Sequence, residues 1–104
     1  FLSDKEWSSV FSKMNAKEKI NILRQEIDKL DDQILKLLVN RFQISAKIGD
    51  VKSSEELLVG DPNREREIID RLAHQFERDF NREDIASIFS PVYQISKNIQ
   101  KKRK

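Results

Sequence analysis

The sequence predicts an all-α fold built around one long helix, and three observations carry that prediction. Of the 104 residues, 37% are charged while only two are glycine and two proline, so the chain has few places where a helix must stop. From Ile20 the apolar residues step three, then four, through Leu23, Ile27, Leu30, Ile34 and Leu37, and the rhythm resumes at Ile44, Ile48 and Val51. Capping signatures then divide the chain into four helical stretches.

Ser3 followed by Glu6 forms the first capping box, opening a short helix whose Trp7, Val10, Phe11 and Met14 share one face. That face is read as a packing surface. Asn15 with Glu18 repeats the box and starts the long helix, expected to run to about Lys52 with Gly49 a weak point off the apolar seam. The stretch from Ser53 to Gly60 reads as a loop. Asp61 as cap and Pro62 at the first helical position open a third helix, with Ile68, Ile69, Leu72, Ala73 and Phe76 as its inner face. Asn81 with Asp84 opens the last, carrying Ile85, Ile88, Phe89, Val92, Ile95 and Ile99. Pro91 falls inside it, where the lost backbone hydrogen bond predicts a bend.

Arg41 occupies a position in the seam where a leucine is expected. A guanidinium there costs several kcal/mol, as an order of magnitude, unless an anion meets it or its head reaches water. No acidic residue of the same helix is well placed to pair with it, so a bound ligand is one candidate for the anion. Other polar residues on inward faces strengthen that reading. Arg41 and Lys52 are eleven residues apart, three turns along one face. Glu65 lies one turn before Ile69 and so faces inward beside Arg64, while Ser96 and Gln100 replace apolar residues on the inner face of the last helix. Cations, one carboxylate and neutral donors on otherwise apolar faces suit a small ligand with two carboxylates and a hydroxyl.

Composition excludes several other chemistries. The chain has no cysteine, hence no disulfide, thiolate nucleophile or cysteine metal site, and its single His74 cannot build a metal site alone. No cofactor is expected. A net charge of +2 spread evenly along the helices argues against a nucleic-acid surface, and the Lys101-Lys102-Arg103-Lys104 run is read as a solvated helix end. No apolar stretch approaches the roughly 20 residues of a membrane span, so a soluble, cytoplasmic protein is expected. No nucleophile with a base beside it is visible, which weighs against covalent catalysis.

The long helix has a consequence for assembly. From Ala16 to Lys52 it would measure about 55 Å, far more than the ~13 Å radius of gyration of a compact domain of this size. The simplest remedy is a two-fold dimer in which antiparallel long helices cover each other's seams. Arg24 and Lys52, about 42 Å apart along one helix, would then meet only across the pair.

These residues carry a resemblance. The run Leu23-Arg24-Gln25-Glu26-Ile27-Asp28, then Asp31, the Asn40-Arg41 pair, Ile48-Gly49-Asp50-Val51-Lys52, the stretch Asp61-Pro62-Asn63-Arg64-Glu65-Arg66-Glu67, and finally Ser96 with Gln100 resemble the all-helical class of chorismate mutase. The likeness covers roughly Ile20 to Gln100. It implies a three-helix protomer in an intertwined, domain-exchanged homodimer that converts chorismate to prephenate for phenylalanine and tyrosine synthesis. Carried over position by position, it implies substrate-binding roles for Arg24 of the neighbouring protomer, Arg41, Asp61, Arg64 and Ser96. Lys52 and Gln100 would address the breaking ether oxygen, and Glu65, with the backbone of Asp61, the ring hydroxyl. Residues 1–19 fall outside the likeness as an N-terminal extension, and 20–104 form the expected domain. An isochorismate-pyruvate lyase and a non-catalytic dimerisation or regulatory module are the alternatives, and the retained Glu65 favours the mutase.

Overall fold

The computed structural model describes residues 3–102. Phe1, Leu2, the Val10 side chain and the Arg103-Lys104 end of the basic run lie outside the described residues. Four helices follow in order, α1 (Asp4–Phe11), α2 (Ala16–Ser54), α3 (Pro62–Gln75) and α4 (Arg82–Lys101), and there is no strand among the described residues. The chain divides into two compact units, Phe1–Leu38 and Val39–Lys104, so α2 supplies its first part to one and its second part to the other.

In the first unit the expected caps are in place. The Glu6 N–H donates to Ser3 Oγ at 3.2 Å and the Ser3 N–H to Glu6 Oε2 at 3.4 Å, a reciprocal box. At the start of α2 the Glu18 N–H donates to Asn15 Oδ1 at 2.8 Å, but the return bond is made by the Asn15 side-chain amide to Glu18 Oε1, not by its backbone. Trp7, Phe11 and Met14 are half-buried, the first two rings lie 5.0 Å apart, and Lys19 Nζ stands 6.0 Å from the Phe11 ring. The inward-facing surface read from α1 is therefore used within this unit. The seam of α2 is not: Leu23, Ile27, Leu30, Ile34 and Leu37 are all exposed, Leu37 by 68%.

The second unit packs α3 against α4 and the end of α2. Its buried apolar residues are Ile68, Ile85, Val92 and Tyr93, each of the aliphatic ones contributing about 1.5–3 kcal/mol relative to exposure. No large side chain is completely buried among the described residues, so this core is thin. Asp61 caps α3 by accepting the Arg64 N–H at 3.1 Å, with Pro62 first in the helix. Asn81 and Asp84 form the box that opens α4. Arg82 and Asp70 tie the two helices by an exposed ion pair of small net worth. α4 is continuous through Pro91.

Four local expectations change. α2 runs past Lys52 to Ser54, because it ends on a paired closure in which the Leu57 N–H reaches the Lys52 carbonyl at 2.7 Å and the Glu56 N–H the Ser53 carbonyl at 3.3 Å. That closure places Glu56 at φ 56°, a left-handed position held here by a residue other than glycine. Gly49, read as off the seam, is buried. Phe76, read as part of the inner face of α3, lies beyond its end and is 39% exposed. Ile88 and Ile95 of α4 are also exposed, leaving an uncovered apolar stripe beside the buried one.

Two substitutions of opposite sign test this account by urea denaturation at fixed protein concentration. Ile85→Ala lowers stability by about 2–4 kcal/mol through the cavity it leaves. Glu56→Gly raises it by up to about 1 kcal/mol, by relieving the left-handed backbone.

Candidate active site

Helical spacing gathers the polar residues of the second unit onto facing surfaces. Arg41, Ser45 and Lys52 recur at helical spacing on the second part of α2, and Tyr93, Ser96, Lys97 and Gln100 do the same on α4. The first turn of α3 adds Asp61, Arg64 and Glu65. Together with Ile44, Ile48, Gly60 and Ile68 these residues line a cavity of about 380 Å³, large enough for a small organic acid.

Arg41 is anchored without a carboxylate. Its Nη1 donates to Ser96 Oγ at 3.0 Å, Ser45 Oγ donates to the same Ser96 oxygen at 3.2 Å, and the guanidinium carbon stands 5.6 Å from the centre of the Tyr93 ring. A hydrogen bond to a charged group contributes about 1.5–3 kcal/mol, and the ring adds attraction through its π face. No ion pair to Arg41 or Lys52 is formed among the described residues. The Tyr93 hydroxyl donates to the Glu65 carbonyl at 3.4 Å, and burial raises its pKa above the usual 10.0 against the opposing charge of Arg41, so the phenol stays neutral.

The other cavity residues divide into those held by partners and those left open. The Asp61 carboxylate caps α3 through Oδ1, which accepts the Arg64 N–H, and its carbonyl accepts the Glu65 N–H. Arg64 is largely exposed and pairs loosely with Glu67 at 3.6 Å. Glu65, half-buried, forms an ion pair with Lys97, whose Nζ lies 3.0 Å from Oε1. Gln100 is buried, yet its Oε1 has no hydrogen-bond partner among the described residues. A buried acceptor left unsatisfied costs about 1–3 kcal/mol, which a hydrogen-bond donor on a ligand would recover.

Seven of the eight residues singled out from sequence line this cavity: Arg41, Lys52, Asp61, Arg64, Glu65, Ser96 and Gln100. Pro91 does not displace Ser96 or Gln100 from it. Arg24 belongs to the first unit, where it is exposed on α2. Ser45, Tyr93 and Lys97 were missed. Their signal was spacing: Ser45 follows Arg41 by one turn, Tyr93 precedes Ser96 by three, and Lys97 precedes Gln100 by three.

The arrangement can bind and orient an anion in a confined space. Among the described residues no group of three metal-binding side chains exists, and the single histidine, His74, lies outside the cavity. The hydroxyls of Ser45 and Ser96 are bonded to each other, and that of Ser96 also to Arg41, with no base beside them. No helix among the described residues is long and apolar enough to cross a membrane.

Comparisons with known proteins place the chain in a family. The family described as chorismate mutase type II matches residues 23–101. A bifunctional chorismate mutase/prephenate dehydratase of Aquifex aeolicus is 32% identical over 84% of this chain, which spans only 25% of that longer protein. A chorismate mutase of Methanocaldococcus jannaschii is 31% identical over 81% of this chain and 86% of its own length. Among solved structures, a conserved hypothetical protein from Pyrococcus furiosus aligns with a TM-score of 0.63 at 36% identity, covering 84% of this chain and 99% of that one. With most of its length matched and the all-helical architecture in place, this chain belongs to the chorismate mutase type II family.

Proposed function

We propose that this protein is a chorismate mutase, an isomerase that rearranges chorismate to prephenate on the route to phenylalanine and tyrosine. The observation that carries the proposal is the cavity itself: a family member gathers Arg41, Lys52, Arg64, Glu65, Ser96 and Gln100 around one space, with Arg41 and Lys52 free of carboxylate partners among the described residues. Residues 20–104 carry this domain, and 1–19 form an extension whose helix packs within the first unit.

The reaction is a pericyclic rearrangement in which the ether C–O bond breaks as a C–C bond forms, with no proton transferred. The protein's task is to fold the substrate's side chain over its ring and to stabilise separating charge. Arg41, steadied by Ser96 and Ser45, clamps one carboxylate, and Arg64 assists from the first turn of α3; fixing a reactive conformer in this way lowers the barrier by restricting motion before reaction. Lys52 and the amide of Gln100 donate to the ether oxygen, which grows more negative only in the transition state. Two donors of about 3–4 kcal/mol each, with orientation, reach the ~8 kcal/mol of a modest enzyme. Glu65 accepts from the ring hydroxyl, and the backbone of Asp61 helps to orient it.

Assembly completes the site on this reading. The exposed seam of α2, from Leu23 to Leu37, and the exposed Ile88 and Ile95 of α4 support an intertwined homodimer, because apolar stripes of this length are stable only when covered. Arg24 of the partner then supplies a further cation to the cavity.

The assay is a continuous absorbance measurement of chorismate loss, with acid conversion of the product to phenylpyruvate. The wild type turns over, and Lys52→Ala lowers kcat by about 10²–10³-fold. Pyruvate released from isochorismate instead would make the protein a lyase, and binding without turnover a regulatory module. Arg41→Ala abolishes measurable turnover while circular dichroism shows the helices retained; full activity in that variant would remove Arg41 from the site. The exchange of Arg24 is tested by subunit mixing. Arg24→Ala and Arg41→Ala dimers are each inactive, and reassociation of an equal mixture restores about a quarter of wild-type activity, since half the dimers then carry one intact site. No recovery would place Arg24 outside the shared site.

A further inference from the structure

Lys97 joins the cavity from α4 and has no part in the chemistry described so far. Its Nζ lies 3.0 Å from Glu65 Oε1, with the two side chains 32% and 25% exposed. Its stem runs along the loop before α3, where a Cβ on Gly60 would stand 3.6 Å from Lys97 Cε and 3.9 Å from Cδ. Gly60 has φ 90°, a conformation that glycine adopts without strain and that lets the loop backbone lie there. Lys97 is thus steadied along its length by the loop and at its tip by Glu65.

The pairing matters because of what else faces the cavity. Glu65 shares it with Arg41 and Lys52, which form no ion pair among the described residues, and with Arg64, whose pair to Glu67 is loose; a flexible carboxylate there is drawn to the nearest of these cations. It would then occupy the donors that bind the ligand's own anions. Lys97 occupies Oε1 from α4, and Oε2 accepts no hydrogen bond among the described residues. We propose that Lys97 is a positioning residue that ties Glu65 to α4, keeping this carboxylate away from Arg41 and Lys52 and leaving Oε2 to accept a ligand hydroxyl. The substrate named in its test rests on the mutase reading; the positioning does not.

Lys97→Met keeps the stem over Gly60 and removes the charge, and Lys97→Arg keeps both. In a crystal structure of unliganded Lys97→Met, Glu65 turns toward Arg41, Lys52 or Arg64, whereas in Lys97→Arg it stays on α4. With chorismate, Lys97→Met loses about tenfold in kcat/KM, mostly through KM, and Lys97→Arg restores it. Glu65 unmoved in Lys97→Met overturns the proposal, as does an unchanged KM in a series whose wild type is active. A wild type inert toward chorismate counts against the mutase reading alone, and the crystal structure still decides the role of Lys97.

Discussion

The second unit is organised by the need to hold one guanidinium in a partly buried place without a carboxylate. Arg41 is met by Ser96, which is itself met by Ser45, and by the face of Tyr93. Each of these partners is neutral, so the positive charge is held in position but not cancelled. A carboxylate in the place of Ser96 would bind Arg41 more tightly and would leave less field for a bound anion. The same logic extends along α2 to Lys52, which faces the cavity with no ion pair among the described residues. The unit gives up some internal electrostatic stability and keeps its cations available.

That choice makes demands on the packing around it. The helices that present these groups must be rigid, yet few apolar side chains are buried behind them. Local devices carry part of the load: Asp61 and Asn81 cap α3 and α4, Pro62 starts α3 with its φ already set, and the closure at Lys52–Leu57 ends α2 where the loop must turn back. Tyr93 links the two functions directly. Its ring is part of the thin core and faces Arg41, while its hydroxyl reaches the Glu65 carbonyl at the start of α3. One side chain therefore couples the packing of α3 on α4 to the placement of the cation on α2.

The exposed apolar seam is the other half of the physical problem. Its residues lie at the spacing of a helix–helix contact, and the described chain leaves them in water. Covering them with a second copy, as proposed, would join folding to assembly, since a protomer with so small a core gains much of its burial from its neighbour. A shared site is the economical outcome of such an arrangement, because the helix that needs covering is also the one that carries the cations.

The sequence by itself determined the helices and most of the cavity. Capping chemistry is local, involving residues three apart, so Ser3, Asn15, Asp61 and Asn81 mark helix starts without reference to the rest of the fold. Helical periodicity is equally local, and it identified Arg41, Lys52, Glu65, Ser96 and Gln100 as polar residues on inward faces. Tertiary structure decided what those faces meet. The Arg41–Ser96 bond spans 55 positions and the Ser45–Ser96 bond 51, and no pattern within one helix reveals a partner on another. Lys97 and Tyr93 escaped notice for the same reason: the groups they meet lie on other helices. Only the approach of α3 to α4 gives the lysine a carboxylate, and only the approach of α2 to α4 gives the ring a guanidinium.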